Sequence, residues 1–365
     1  MLSQYSSYSR REFLHTLTAA GLAASLPAYS GGQDKAQPRL ALGIDNFAVR
    51  AMGWKGQQLV DYAASLEVDS LFITDLDGFG GLADGHLRDL RQRAADKGLA
   101  IQAGTWSICP TSLSFRKDWG TAEEHLALGI RVAQAVGSPI IRVILGSRRD
   151  RLTEGGIDAR IRDTVQVLKA CRRRAIDAGV KVAMENHAGD LHSLELVRLI
   201  EEAGKDYVGA NMDSGNAAWT LEDPLHNLEN LGPYVLTTSL RDAVAWESDN
   251  GVTVQWTAMG SGTIDWPRYF RRFAELCSAA PVHIETISGF NHELAIKQEE
   301  FWKAWPHGKP KGFDHFLAWA KRGQPRPPRQ VPDNVDRQRA DQEFQRADLE
   351  KSIRYCKEIG LGRKR

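Results

Sequence analysis

The sequence predicts an α/β protein whose body is a (β/α)8 TIM barrel, and three observations carry that prediction. From Arg39 onward, eight short apolar runs alternate with longer segments of helical period, the pattern of repeated β-α units. Two consecutive runs, 181–187 and 208–213, each place a carboxylate near their end on the face that otherwise carries small or polar residues. No Gly-x-Gly-x-x-Gly follows the first run, so the runner-up, a doubly wound open sheet, lacks its dinucleotide-binding turn.

The chain divides into three parts: an N-terminal signal segment (1–30), the barrel (37–323) and a C-terminal helical extension (324–365). Ser9-Arg-Arg-Glu-Phe-Leu14 precedes a moderately apolar run at 17–26 and small residues near 28–31. That run is too short to span a bilayer, so no stable membrane insertion is expected. The combination resembles a twin-arginine export signal, which implies passage through the twin-arginine translocase to a periplasmic or extracytoplasmic location.

Strands are expected at 39–46, 70–76, 100–108, 139–146, 181–187, 208–213, 235–242 and 281–288, with helices at 54–66, 85–97, 121–136, 157–178, 192–203 and 266–279. Two insertions, 243–259 and 291–323, follow the seventh and eighth strands. Phe301, Trp302, Trp305, Phe313, Phe316 and Trp319 in the second either wall the site or pack with the eighth helix. The proline-rich stretch 324–332 reads as an extended linker, and 337–359 as an amphipathic helix ended by Gly360 and docked on the barrel.

Composition excludes more than it selects. The 365 residues are 42% hydrophobic and 25% charged, ordinary for a soluble globular protein. A net charge of +1 provides no global field for nucleic acid or an anionic membrane, so neither is expected as a partner. Arg172-Arg173-Arg174 reads as a solvated helix face. Cys109, Cys171, Cys277 and Cys356 fit neither a disulfide scaffold nor a zinc signature and read as unpaired thiols.

The chemistry lies in the alternation. In 181–187, Val182 and Met184 share one face, and Ala183, Glu185 and His187 the other; in 208–213, Gly209, Asn211 and Asp213 oppose Val208, Ala210 and Met212. In a closed barrel the apolar face lies under the helices, which leaves the carboxylates inward at the strands' C-terminal ends. The eighth run repeats the rule with His283 and Glu285 inward, and the seventh sends Thr237, Ser239 and Arg241 inward. Three inward carboxylates repel unless a cation compensates them. Either a divalent ion does so, with oxygen ligands favouring Mg²⁺ or Mn²⁺, or the acids pair with Arg142, Lys181 or Arg241.

Met184-Glu-Asn-His187, Met212-Asp-Ser-Gly-Asn216, Leu240-Arg-Asp242, Gly260-Ser-Gly-Thr-Ile-Asp265 and His283-Ile-Glu285, in this order, resemble the xylose isomerase-like barrel superfamily, the sugar phosphate isomerase/epimerase family. The tail 349–360 resembles that of its exported members. The resemblance implies that Glu185, Asp213 and Glu285 ligate Mn²⁺ or Mg²⁺, with Glu185 and Glu285 facing each other across a sugar as base and acid. Two positions depart from the family pattern. Ser239 stands where a histidine ligand is usual, and Asn216 ends what is usually an Asp-x-x-His. A water, His187 or His283 would then complete the site, or metal binding has weakened.

The expected activity is isomerisation or epimerisation of a free or oxidised sugar by proton abstraction next to a carbonyl, through an enediolate. The small-molecule carbohydrate would contact His187, Arg241, Asn216 and Trp106. The alternatives are β-elimination from an oxidised glycoside and an exported carbohydrate-binding barrel without catalysis. Metal-dependent phosphodiester cleavage would need more histidines and a basic surface.

Overall fold

A computed structural model describes residues 39–362. The export-signal reading lies outside the described residues. Eleven strands and nine α-helices are described: β1 (Leu42–Asp45), α1 (Gly56–Ser65), β2 (Ser70–Ile73), α2 (Asp84–Asp96), β3 (Ala100–Ser107), α3 (Ala122–Val136), β4 (Ile140–Ile144), α4 (Gly156–Ala178), β5 (Lys181–Glu185), α5 (Ser193–Ala203), β6 (Val208–Met212), α6 (Pro224–Leu231), β7 (Val235–Thr238), β8 (Asp242–Ser248), β9 (Gly251–Thr257), α7 (Trp266–Cys277), β10 (Val282–Ile284), β11 (Asn291–Leu294), α8 (Phe313–Ala320) and α9 (Arg337–Glu358).

Eight parallel strands form one sheet in the order β10-β1-β2-β3-β4-β5-β6-β7. A parallel bridge between Leu240 and Ile284 brings its two edges together, with Leu240 N donating to His283 O at 2.7 Å and Glu285 N to Leu240 O at 2.9 Å. The expected (β/α)8 barrel is therefore present. Its interior is tight at the first strand: a Cβ on Gly43 would stand 2.3 Å from Ser70 Oγ and 2.5 Å from the His283 ring, so only glycine fits there.

α3 shows how sequence fixes the surrounding helices. Thr121 caps it and Glu124 reaches back to the Thr121 backbone N–H, while Gly137, at φ 75°, closes its C-terminus in the left-handed region. Leu126, Ile130 and Ala133 at i, i+4 and i+7 turn one stripe into the core, each of the two larger side chains contributing roughly 1.5–3 kcal/mol of burial. Thr121→Ala would cost the helix about 0.5–2 kcal/mol.

The seventh expected strand does not run unbroken to 242. β7 ends at Thr238, and after the Leu240 bridge the chain enters β8, which pairs antiparallel with β9, itself paired with β11. This small sheet has its own apolar cluster, including Trp256, Phe301, Trp305, Phe316 and Trp319. The aromatic residues of the second insertion thus pack as a core rather than line the barrel mouth.

α9 fills the place of the eighth barrel helix. Leu349, Ser352, Ile353 and Cys356, at helical spacing, are its buried residues, and the three apolar ones join the main barrel core. Ser352 Oγ accepts from Met259 N, Gln345 Oε1 accepts from Ala51 N, and Lys357 Nζ donates to Leu66 O at the end of α1. α8 packs on β8 instead. All four cysteines are buried and unpaired, as expected. Among the described residues no helix is long and apolar enough to cross a membrane.

Candidate active site

Four buried carboxyl groups gather at the C-terminal ends of the strands: Asp45 on β1, Glu185 on β5, Asp213 just beyond β6 and Glu285 just beyond β10. The alternation that turns Glu185 inward also turns Asp45 inward, two residues from Gly43. Two arginines stand among these acids. Arg142, inward on β4, donates from Nε to Glu185 Oε2 at 2.5 Å and from Nη1 to Thr105 O at 3.0 Å. Arg241 donates from Nε to Asp213 Oδ1 at 3.2 Å and from Nη2 to Asp213 Oδ2, and the same Nη2 lies 3.4 Å from Glu285 Oε2. Gly215 makes room for this arginine, since a Cβ there would meet the Arg241 stem at 2.3 Å.

Neutral side chains tie the acids together. Asn211 Nδ2 donates to Glu185 Oε2 at 2.8 Å, and Asn216 Nδ2 bridges Glu185 Oε1 at 3.2 Å and Asp213 Oδ2 at 2.7 Å. Ser239 points inward as its parity requires, donating to Asp45 Oδ2 at 2.9 Å and lying 3.3 Å from Asn211 Nδ2. Lys181 is exposed and takes no part.

This arrangement splits the carboxyl groups electrostatically. Burial pushes Glu185 up, but the charge and hydrogen bond of Arg142 hold it below the usual range. Glu285 is driven well above that range by burial, which Arg241 only partly offsets, with the other acids adding to the rise. Burial likewise raises Asp213, and it lifts Asp45 to about 7. Glu285 Oε2 has no hydrogen-bond partner despite its burial.

His187 sits at the rim. Its Nδ1 lies 2.7 Å from Gly146 O, so that nitrogen carries the proton and a neutral ring presents its lone pair at Nε2. Burial lowers its pKa. Trp106 meets the His187 ring edge-on at 5.5 Å and is held by a 2.9 Å bond from Nε1 to Ser114 O. His283 lies a layer deeper, against Ser70 Oγ at 2.9 Å and Thr237 Oγ1 at 3.3 Å, with its pKa lowered by burial to about 3. It does not reach the acids. A cavity of about 510 Å³ begins at Thr286, next to Glu285 in the chain, and is walled by Arg50, Phe290, Arg329, Arg337 and Phe344; none of the four acids, Arg142 or Arg241 lines it.

The donor set does not fit the expected Mn²⁺ or Mg²⁺ on Glu185, Asp213 and Glu285. Among the described residues no group of three or more His, Cys, Asp or Glu side chains is placed to hold an ion. The other arrangement open to the sequence, pairing with Arg142 and Arg241, is the one formed. Sequence reasoning missed Asp45 and assigned Asn211 no role. Parity was the signal for both: each lies inward at a strand's C-terminal end.

The family of xylose isomerase-like TIM barrels matches residues 49–305. The chain belongs to that family. Among solved structures, D-psicose 3-epimerase with D-fructose is similar at a TM-score of 0.57 and 14% identity, over 88% of this chain and 100% of that one. The 3-keto-D-glucoside 4-epimerase of E. coli follows at 0.51 and 14%, over 77% and 99%. The IolI protein with a bound zinc atom gives 0.53 and 14%, over 77% and 95%. At these identities the likeness shows the fold alone. A curated relative, 3-oxo-isoapionate decarboxylase of Pectobacterium atrosepticum, is 20% identical over 196 residues, 53% of this chain and 64% of that protein. The match therefore spans less than two thirds of the relative's length. Sugar epimerases are thus among the structural neighbours of this xylose isomerase-like barrel, and a decarboxylase is a distant homologue.

Proposed function

We propose that this xylose isomerase-like barrel isomerises or epimerises a free or oxidised sugar by moving a proton on the carbon next to a carbonyl. The observation that carries the reading is the opposed environment of two carboxyl groups at one barrel mouth: Glu185 is paired with Arg142, whereas Glu285 keeps a buried oxygen without a hydrogen bond. Pairs of carboxyl groups driven apart in this way divide into an ionised base and a protonated acid.

Glu185 takes the proton from carbon through Oε1, the oxygen held only by Asn216, and the electron pair of the broken C–H bond moves onto the carbonyl oxygen to give an enediolate. Delivery of the Glu285 proton to the opposite face of the same carbon gives the epimer. Return of a proton to the neighbouring carbon, with the hydroxyl proton lost in exchange, converts aldose to ketose. Trp106, one face of which carries the Arg116 guanidinium, turns its other face to the sugar, and His187 Nε2 accepts from a hydroxyl. Asn216 and Arg241 act through the acids they hold. Elimination of a β-substituent from an oxidised glycoside would share the first step.

The export signal read at 1–30 favours a periplasmic setting, where free or oxidised sugars are more accessible than sugar phosphates. Incubation of the purified protein in D₂O with a panel of free, oxidised and phosphorylated sugars tests the reading. Deuterium should enter next to the carbonyl of a non-phosphorylated sugar, and failure to exchange with any of them would overturn it.

A further inference from the structure

A divalent ion needs lone pairs, and most of those on the acids of this site are already committed. Asp213 Oδ1 accepts from Gly215 N at 2.7 Å, Asn216 N at 2.9 Å and Arg241 Nε at 3.2 Å, while Oδ2 accepts from Asn216 Nδ2 and Arg241 Nη2. A carboxylate offers about four lone-pair sites, so Asp213 is saturated. Glu185 Oε2 accepts from Arg142 and Asn211, and Oε1 from Asn216. Asp45 receives Phe47 N and Ser239 Oγ. Glu285 Oε2 accepts no hydrogen bond, but Arg241 Nη2 stands 3.4 Å from it, and the positions left open do not make a site for an ion that binds roughly six oxygens.

The positive charge is nevertheless there. Arg142 and Arg241 are each 5% exposed, and guanidinium groups so deeply buried persist only against carboxylates. Ser239 and Asn216 agree with this exchange. Ser239 spends its hydroxyl on Asp45, and Asn216 presents an amide donor to Glu185 and Asp213 where an imidazole would present a lone pair. An amide N–H pointing at two carboxylates supports a hydrogen-bonded network and opposes metal coordination.

We propose that this chain works without a divalent ion and that the guanidinium groups of Arg142 and Arg241 supply the fixed positive charge of its site. The proposal rests on the proton-transfer reading only for what that charge does. Beside Glu185 and Glu285, the two cations offset the negative charge that develops on the sugar oxygens as the C–H bond breaks. A guanidinium neither dissociates nor exchanges, and it offers N–H donors in one plane in place of an open coordination sphere.

Full-chain protein, treated with EDTA and dialysed, is titrated with Mn²⁺ and followed by the electron paramagnetic resonance of the free ion. The wild type should show no saturable binding in the micromolar range, and any sugar C–H exchange should be unchanged by EDTA. Arg241→Met releases Asp213 and Glu285 and should gain Mn²⁺ affinity by about tenfold or more. One Mn²⁺ bound per wild-type chain, and lost in Asp213→Asn, would overturn the proposal, as would exchange abolished by EDTA and restored by Mn²⁺. The wild-type titration decides even if Arg241→Met does not fold. Exchange absent from every sugar, with and without metal, would instead sink the proton-transfer reading and leave the titration to judge the arginines.

Discussion

Ser239 Oγ donates a 2.9 Å hydrogen bond to Asp45 Oδ2 and so joins the segment after β7 to an acid on β1, across the closure of the barrel. The bond gives the site a fourth carboxyl group and fixes the orientation of the Ser239 side chain.

Asp45 should make stability fall as pH rises. Its folded pKa of about 7 exceeds the ordinary 3.8, chiefly because of burial, so between these values the folded chain binds more protons than the unfolded one. The stabilisation is complete below pH 4 and is lost as pH rises through about 7. Urea midpoints measured from pH 5 to 8 should decline more steeply for the wild type than for Asp45→Asn. Parallel curves would show that Asp45 is ionised throughout.

Glu185→Gln and Glu285→Gln should each lower turnover by about 10²–10⁴-fold, the usual worth of a positioned acid or base, with an unchanged circular dichroism spectrum. Near-normal turnover in either variant removes that residue from proton transfer.

Ser239→His alone should change Mn²⁺ affinity little, because Asp213 remains saturated by Arg241 and backbone donors. Placed on Arg241→Met, it should tighten Mn²⁺ and Co²⁺ further, Co²⁺ more, since nitrogen ligands favour later ions. Equal affinities with and without the histidine would mean that position 239 does not face the acids.

Leu349→Ala and Ile353→Ala empty the inner stripe of α9 and should each cost about 2–5 kcal/mol in chemical unfolding, as for other large-to-small core changes. Losses near zero would show that α9 lies on the barrel without completing its core.

Arg10→Lys combined with Arg11→Lys should leave the precursor in the cytoplasm, detected by fractionation. Undiminished periplasmic protein would refute the export reading.

Much of the site was legible because strand parity is a hard constraint. Once 181–187 was read as a strand, Glu185 had to face inward, and the same rule placed Ser239, Arg241 and Glu285. Asp45 lies in the strand expected at 39–46 and faces inward by the same rule, but no second acid or motif beside it in the sequence marked it out; in the fold its Oδ1 accepts from Phe47 N. The choice between metal and arginine was open in the sequence, since it depends on where side chains from β4, β6 and the segment after β7 converge. Strand seven was read too long because its apolar pattern continues into β8, although the chain has by then changed sheets. The role of α9 was legible as docking but not as a ring position, because the insertion and linker separate it from β10.

That ring position has a kinetic consequence. Arg39 Nε donates to Gly360 O across 321 residues, and Gly362 N donates to Leu40 O, so the start and the end of the barrel are stitched to each other. The β1–β10 seam and the helix beside it join the first strand to segments that are synthesised long after it. Contacts of such long sequence separation form late, after the entropy of a very large loop has been overcome. The nascent chain therefore stays an open sheet with an uncovered edge until β10 and α9 have been made, a state in which a chaperone would protect it from aggregation.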